Sequence, residues 1–142
     1  HTRYWRDWSS DVCSSDLGTE GFVNSGVQIR SERVPNHHEM VGYQADIGEG
    51  WYGALYDESR RNTILAKPDP EVVKKAVKPG QWNHYEIKAD GNRVTLKING
   101  IQTVDYTEKD PKVVPHGKLA VQIHGGGKSR VQFKDISLEE LP

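Results

Sequence analysis

The chain reads as an all-β protein, an antiparallel two-sheet sandwich, on three observations. Short runs of alternating apolar and polar residues follow one another closely, compact turn signals separate them, and no strand-helix-strand alternation interrupts the series. Successive side chains of a strand point to opposite faces, so each run offers one apolar face for a core and one polar face for solvent or a ligand.

Taken in order, the run Asn24-Ser25-Gly26-Val27-Gln28-Ile29-Arg30 puts Val27 and Ile29 on one side and Gln28 and Arg30 on the other. In Gly42-Tyr43-Gln44-Ala45-Asp46-Ile47, the residues Tyr43, Ala45 and Ile47 oppose Gln44 and Asp46. A further strand is expected to end at Tyr56. Residues 70–77 carry the one helical signal, with Asp69 as N-cap, Pro70 in the first turn and Pro79-Gly80 beyond the end. From Trp82 onward the chain reads as a meander. Residues 85–89 precede the turn Asp90-Gly91-Asn92, and Val94, Leu96 and Ile98 then alternate with Arg93, Thr95 and Lys97. Asn99-Gly100 supplies the two positive φ values of a type I′ hairpin before residues 101–106. After a looser Pro-bearing segment, residues 118–124 set Leu119, Val121 and Ile123 against Gln122 and His124. Gly125-Gly126-Gly127 forms a turn, and Val131, Phe133, Ile136 and Leu138 mark a last strand whose spacing slips by one near Asp135, the mark of a bulge.

Residues 1–17 fit none of this. The run Arg6-Asp7-Trp8-Ser9-Ser10-Asp11-Val12-Cys13-Ser14-Ser15-Asp16-Leu17 resembles the translation of a sequencing adaptor, so residues 1–17 are set apart as non-native and residues 18–142 are read as one domain. The only cysteine, Cys13, and two of the four tryptophans go with that segment. On this reading N-terminal strands of the sandwich are missing, and the uncovered edges are expected to leave the fold marginally stable or prone to aggregation.

Composition narrows the partners. Net charge is −1 and the lysines and arginines are scattered among acidic residues, so no basic stripe tracks a phosphate backbone and nucleic acid is not expected as a partner. No apolar run reaches the length of a membrane-spanning helix, so no membrane insertion is expected. The polar faces point elsewhere. Gln28, Gln44, Asp46, Gln122 and His124, carried on three strands, combine hydrogen-bond donors and acceptors with titratable groups, which suits a hydroxyl-rich ligand such as an oligosaccharide or glycoside. Trp51 and Tyr52 follow a glycine-containing turn and offer a stacking platform for a sugar ring. Asp57, Glu58, Arg60 and Arg61, following the strand that ends at Tyr56, form either a charged rim or an ordinary solvated turn. Each candidate has a plainer alternative: His124 as a turn cap, Arg30 and Asp46 as a surface ion pair. His37-His38-Glu39 raises the question of a metal, but adjacent histidines on a strand point apart, so no metal ligands are assigned and a divalent metal stays open as a cofactor.

These stretches, with Gly53-Ala54-Leu55-Tyr56-Asp57-Glu58, Trp82-Asn83 and the ending from Gly117-Lys118-Leu119 to Phe133-Lys134-Asp135-Ile136, resemble the 3-keto-disaccharide hydrolase family, also described as 3-keto-glucoside lyase/hydratase domains, over residues 21–141. The resemblance implies a concanavalin-like jelly-roll sandwich, bacterial origin, export to the periplasm or exterior, and cleavage of 3-keto-glycosides by elimination and hydration. It implies His124 and Asp46 as acid and base, Arg30 as the charge facing an enolate, and Gln28, Gln44, Gln122, Tyr56, Asp57, Arg60 and Trp51 as substrate contacts. Many relatives carry glutamate after the Gly-Tyr pair, where this chain has Gln44 and so no titratable group. The alternative is a carbohydrate-binding module without catalysis, because one sandwich hosts both functions.

Overall fold

A computed structural model describes residues 5–16, 23–125 and 128–141. Ten strands, β1 (Trp5–Asp16), β2 (Ser25–Arg33), β3 (Met40–Ile47), β4 (Leu55–Glu58), β5 (Thr63–Ala66), β6 (Asn83–Asp90), β7 (Arg93–Ile98), β8 (Ile101–Thr107), β9 (Lys118–Ile123) and β10 (Ser129–Leu141), accompany one helix, α1 (Pro70–Ala76). They form two five-stranded antiparallel sheets, ordered β10-β1-β6-β7-β8 and β5-β4-β3-β2-β9, and the all-β sandwich expected from the alternation is what the chain builds.

Alternation explains which faces meet. Val27, Ile29, Tyr43, Ala45, Ile47 and Leu55 from one sheet pack against Trp8, Val12, Tyr85, Ile87, Ala89, Val94, Leu96, Ile98 and Val104 from the other, all buried. Local chemistry sets the ends. Asp69 caps α1 by accepting from the Glu71 N–H at 2.9 Å, with Pro70 at the first position. Asn99 and Gly100 adopt φ of 50° and 80°, as the two-residue β7–β8 hairpin requires. Asp135, at φ 52°, sits at the slip in the β1–β10 register. The turn expected at residues 125–127 falls partly outside the described residues. No described helix is long and apolar enough to cross a membrane.

Two regions differ from the sequence reading. Residues 1–17 were set apart from the fold, yet β1 lies between β10 and β6, with Trp8, Ser10 and Val12 facing inward and buried. The β5 strand carries no distinct pattern; it pairs with β4, and Leu65 and Ala66 pack against the core.

Candidate functional site

The outer face of the β5-β4-β3-β2-β9 sheet carries the polar side chains. In register, Gln28 lies opposite Gln44, Gly26 opposite Asp46 and Gln122 opposite Gly26, so three strands bring their polar positions to one area. Gly26 is required there: a Cβ on it would come within 2.6 Å of the Gln44 side chain, which lies across the glycine toward Asp46. Two adjoining hollows of about 520 and 550 Å³ share Glu58, Gln122 and His124 and form one trough. The first is lined also by Asn24, Gln44, Asp46, Glu49, Trp51 and Tyr56. The second runs toward the β2–β3 hairpin, past Gln28, His38 and Glu39.

A line of hydrogen bonds underlies the floor. The Ser31 hydroxyl donates to Gln28 Oε1 at 2.8 Å, Gln28 Nε2 donates to Gln44 Oε1 at 2.7 Å, and Gln44 Nε2 donates to Asp46 Oδ1 at 2.8 Å. The line ends there. Asp46 Oδ2 and Gln122 Oε1 are buried and have no hydrogen-bond partner among the described residues. Buried polar atoms are nearly always satisfied, so two open acceptors beside one cleft are what a hydroxyl-bearing ligand would complete. Burial raises the Asp46 carboxyl to about 7; the Gln44 amide opposes that rise and the Glu58 charge adds to it.

The groups around Asp46 are tuned as well. Desolvation, together with the Glu39 charge, raises Glu58, and His124 pulls it back. Desolvation and the Glu58 charge raise the Tyr56 hydroxyl, which stays protonated as a donor. His124 Nδ1 lies 2.7 Å from the Gly125 carbonyl oxygen. A carbonyl only accepts, so Nδ1 holds the proton and in the neutral ring Nε2 is the basic nitrogen. Trp51, on the turn after β3, is anchored by N–H donation to the Gly48 carbonyl at 2.9 Å and has the Lys67 ammonium 5.8 Å from its ring.

Of the residues singled out from sequence, Asp46, Gln44, Gln122, His124, Tyr56 and Trp51 line the cleft, and Gln28 supports it from beneath, only 2 % exposed. Three lie elsewhere. Arg30 was expected to share a side with Gln28, but β2 bulges between Ile29 and Glu32 and Arg30 takes φ 48°, which swings its guanidinium to donate to the Gly91 carbonyl, away from Asp46. Asp57 and Arg60 were expected at the rim. Asp57 instead follows Leu55 onto the inner face, wholly buried, where Arg60 Nε donates to it at 2.9 Å and Arg61 also pairs with it. Arg61 continues to Glu108 at 2.7 Å, and Glu108 accepts from the Tyr43 hydroxyl at 2.7 Å. This is an ion network tying β4 to the end of β8.

Asn24 and Glu49 line the cleft without having been singled out from the sequence, and Glu58, weighed there only as part of a charged rim or a solvated turn, lines it too. Glu58 was within reach of the same logic: Leu55 and Asp57 share one face of β4, so Tyr56 and Glu58 must share the other. His37, His38 and Glu39 are exposed, with candidate ligand atoms within 4.8 Å of one another, because the hairpin turn rather than a strand holds them. The two rings stack at 4.3 Å, and His37 Nδ1 is taken by the Glu39 N–H.

Known proteins share this architecture. The fold matches carbohydrate-binding module CBM66 from Bacillus subtilis with a TM-score of 0.71 at 14% identity, covering 96% of this chain and 76% of that one. It also matches two presumed glycosyl hydrolases from Parabacteroides distasonis, with TM-scores of 0.66 and 0.59 at 16% and 19% identity, covering 99% of this chain and 72% and 84% of theirs. At such identities the likeness is one of fold. No curated protein matches the sequence. The family described as the 3-keto-alpha-glucoside-1,2-lyase-like domain matches residues 5–139, nearly the whole chain, and the chain belongs to that family.

Proposed function

We propose that the trough on the outer face of β3 holds a 3-keto-glycoside and cleaves it by elimination followed by hydration. One observation carries this reading: a buried carboxyl, Asp46, is raised to about 7, leaves one oxygen open to the cleft and stands among other titratable groups. A ligand that is only bound needs hydrogen-bond partners, not a carboxyl tuned to exchange its proton near neutral pH.

The chemistry follows from the substrate's ketone. A carbonyl at C3 acidifies the C2 hydrogen, and His124 Nε2 takes that proton as base. The Tyr56 hydroxyl donates to the enolate oxygen as charge builds there. The C1–O bond breaks, the electron pair forms the C1–C2 double bond as the ketone is restored, and protonated Asp46 gives its proton to the departing oxygen. Asp46, now ionised, draws a proton from water as the oxygen adds to C1, and His124 returns its proton to C2. The balance is one 3-keto-glycoside and one water giving a 3-keto-sugar and an alcohol. Gln122 Oε1 accepts from a sugar hydroxyl, and Trp51 offers its face to a ring.

The second reading, a sugar-binding module without turnover, is favoured by the fold match to CBM66. Incubating the protein with a 3-keto-glucoside and, separately, with the unoxidised glucoside decides between them. The enzyme reading expects alcohol release from the keto sugar alone and its loss in Asp46→Asn with ligand binding retained. Binding without release from either sugar would establish the module.

A further inference from the structure

Among the described residues, the side of the sandwich opposite α1 is open. There β9 pairs only with β2 and β10 only with β1, so both sheets end in strands with an unpaired edge among the described residues. Their inward positions remain wet: Val121 is 54% exposed, Ile123 59%, Ile136 57% and Leu138 47%. Beneath them a cavity of about 340 Å³ runs inward between the sheets, lined in part by Trp8, Ile29, Ile87, Leu119 and Leu138. A row of free backbone groups beside exposed apolar side chains is a template for another strand.

The sequence of β10 indicates which strand. Its first half is basic, with Arg130 and Lys134, and its second half acidic, with Asp135 and Glu139. Placed antiparallel to a copy of itself with Lys134 opposite Asp135, the strand sets Arg130 opposite Glu139, Val131 opposite Leu138 and Phe133 opposite Ile136. Every pair occurs twice by symmetry. The bulge at Asp135 makes this register geometrically consistent: it shifts the alternation by one, so Val131, Phe133, Ile136 and Leu138 all point inward although their numbering changes parity. Sliding by one residue in either direction destroys the match, since Val131 then meets Glu139 or Phe133 meets Asp135. The shorter β9 has no comparable charge pattern. Lys134 lies 4.3 Å from the Trp82 ring, so in the single copy its ammonium reaches across β1 toward the start of β6, and pairing with Asp135 of a second copy swings it back to the edge.

We infer that β10 is a homodimer interface, pairing antiparallel with β10 of a second copy to join the two five-stranded sheets into one and close the open apolar sides against each other. Such a contact is isologous and self-limiting, because each copy uses up its one β10 edge.

Sedimentation velocity over protein concentrations from about 1 to 100 μM tests this. The expected result is a monomer–dimer equilibrium whose dissociation constant rises with salt. Arg130 and Glu139 are both exposed on the outer face, so their exchange does not disturb the core. Arg130→Glu sets like charges opposite one another twice and is expected to raise the constant about tenfold, while Arg130→Glu with Glu139→Arg returns it to within about threefold of the parent. Circular dichroism unchanged across the three proteins keeps the comparison interpretable. A monomer at every concentration, open-ended association, or a double variant as weak as Arg130→Glu alone would each overturn the inference.

Discussion

Two polar networks lie on opposite faces of one sheet, the inner on β3 and β4 and the outer on β2 and β3, and they are finished differently. On the inner face, Asp57, Arg60, Arg61, Glu108 and the hydroxyls of Tyr43 and Tyr106 close on one another, with the Lys109 and Asp110 N–H groups completing Glu108. On the outer face, Ser31, Gln28, Gln44 and Asp46 form a chain that stops at an open carboxylate oxygen. Both centre on a buried carboxylate, Asp57 within and Asp46 without, but only the outer one is built wholly from strand residues. The closed one spends its hydrogen-bonding capacity on holding two sheets together; the open one retains a group for a ligand. Charge count does not separate them; the inner carboxylates are all met, and the one inner group short of a hydrogen bond, Arg60 Nη2, is still ion-paired with Asp57 at 2.6 Å, whereas Asp46 Oδ2 has no partner among the described residues.

The largest expected effect breaks the open network at its end. Asp46→Asn should lower turnover of a 3-keto-glycoside by about 10²- to 10⁴-fold, the usual span for losing a positioned acid or base. The fold should survive, because the three amides can turn over together and Ser31 can accept where it now donates. Stability should move the other way. The Asp46 carboxyl titrates near 3.8 when unfolded and about 7 when folded, so the folded protein binds the extra proton between those values and loses stability as pH rises through that window. The variant lacks that loss and should be the more stable protein above pH 7, by on the order of 3 kcal/mol. Denaturant unfolding at pH 5 and pH 8 measures it, and parallel pH dependences in the two proteins would remove Asp46 from the account.

Breaking the closed network should reverse the pattern. Arg61→Ala leaves Glu108 without its guanidinium and Asp57 with one cation instead of two, at an expected cost of about 3 kcal/mol in stability. Turnover per folded molecule should not change. Burial alone would raise Glu108, but hydrogen bonds from Arg61, Tyr43 and the Asp110 N–H outweigh it and hold the carboxyl at about 2. Stability from that group is present above pH 4.5 and lost as pH falls toward 2, so the parent protein should show an acid-limb loss that Arg61→Ala flattens. An unchanged acid limb would mean Arg61 does not set the Glu108 carboxyl.

The contrast between the networks also marks where the sequence was readable. Period-two alternation found β2, β3 and β6 through β10, because each has apolar residues at nearly every second place. It put Gln28, Gln44, Asp46, Gln122 and His124 on one face. It failed where one residue breaks the period. Arg30 occupies a bulge with positive φ, and nothing in its neighbours announces that. Asp57 was misplaced for a different reason: a charged residue at an inward position is expensive unless paired, and its partners Arg60, Arg61 and Glu108 come from a turn and a distant strand end. In β1, Trp8 and Val12 are separated by Ser10 in a run of serine and aspartate, and two apolar residues are too few to show a period.

A smaller effect is expected one step back along the open chain. Gln28→Leu fills a similar volume but removes the donor that orients Gln44, so Asp46 Oδ1 loses a fixed partner. Turnover should fall about tenfold with KM nearly unchanged, since what is disturbed is the aim of an acid and not a substrate contact. If KM rises while turnover holds, Gln28 touches the ligand and the chain is no support.

The least effect is expected at the mouth. Trp51 stands on the turn after β3, partly exposed, held through its backbone to Gly48, with the Lys67 ammonium 5.8 Å from its ring. No proton passes through it. Trp51→Ala should therefore cost only the stacking contribution, about 1 kcal/mol in binding, seen as a KM several-fold higher with turnover at saturation preserved. Trp51→Phe should recover most of the loss, because a smaller ring still presents an aromatic face. That result would separate the trough into two parts: an inner end where Asp46 and His124 decide rate, and an outer end where an aromatic surface decides occupancy. Equal losses in KM and turnover at Trp51 would instead place the ring over the reacting carbons, and the boundary between holding and reacting would then run through the turn and not along the strand.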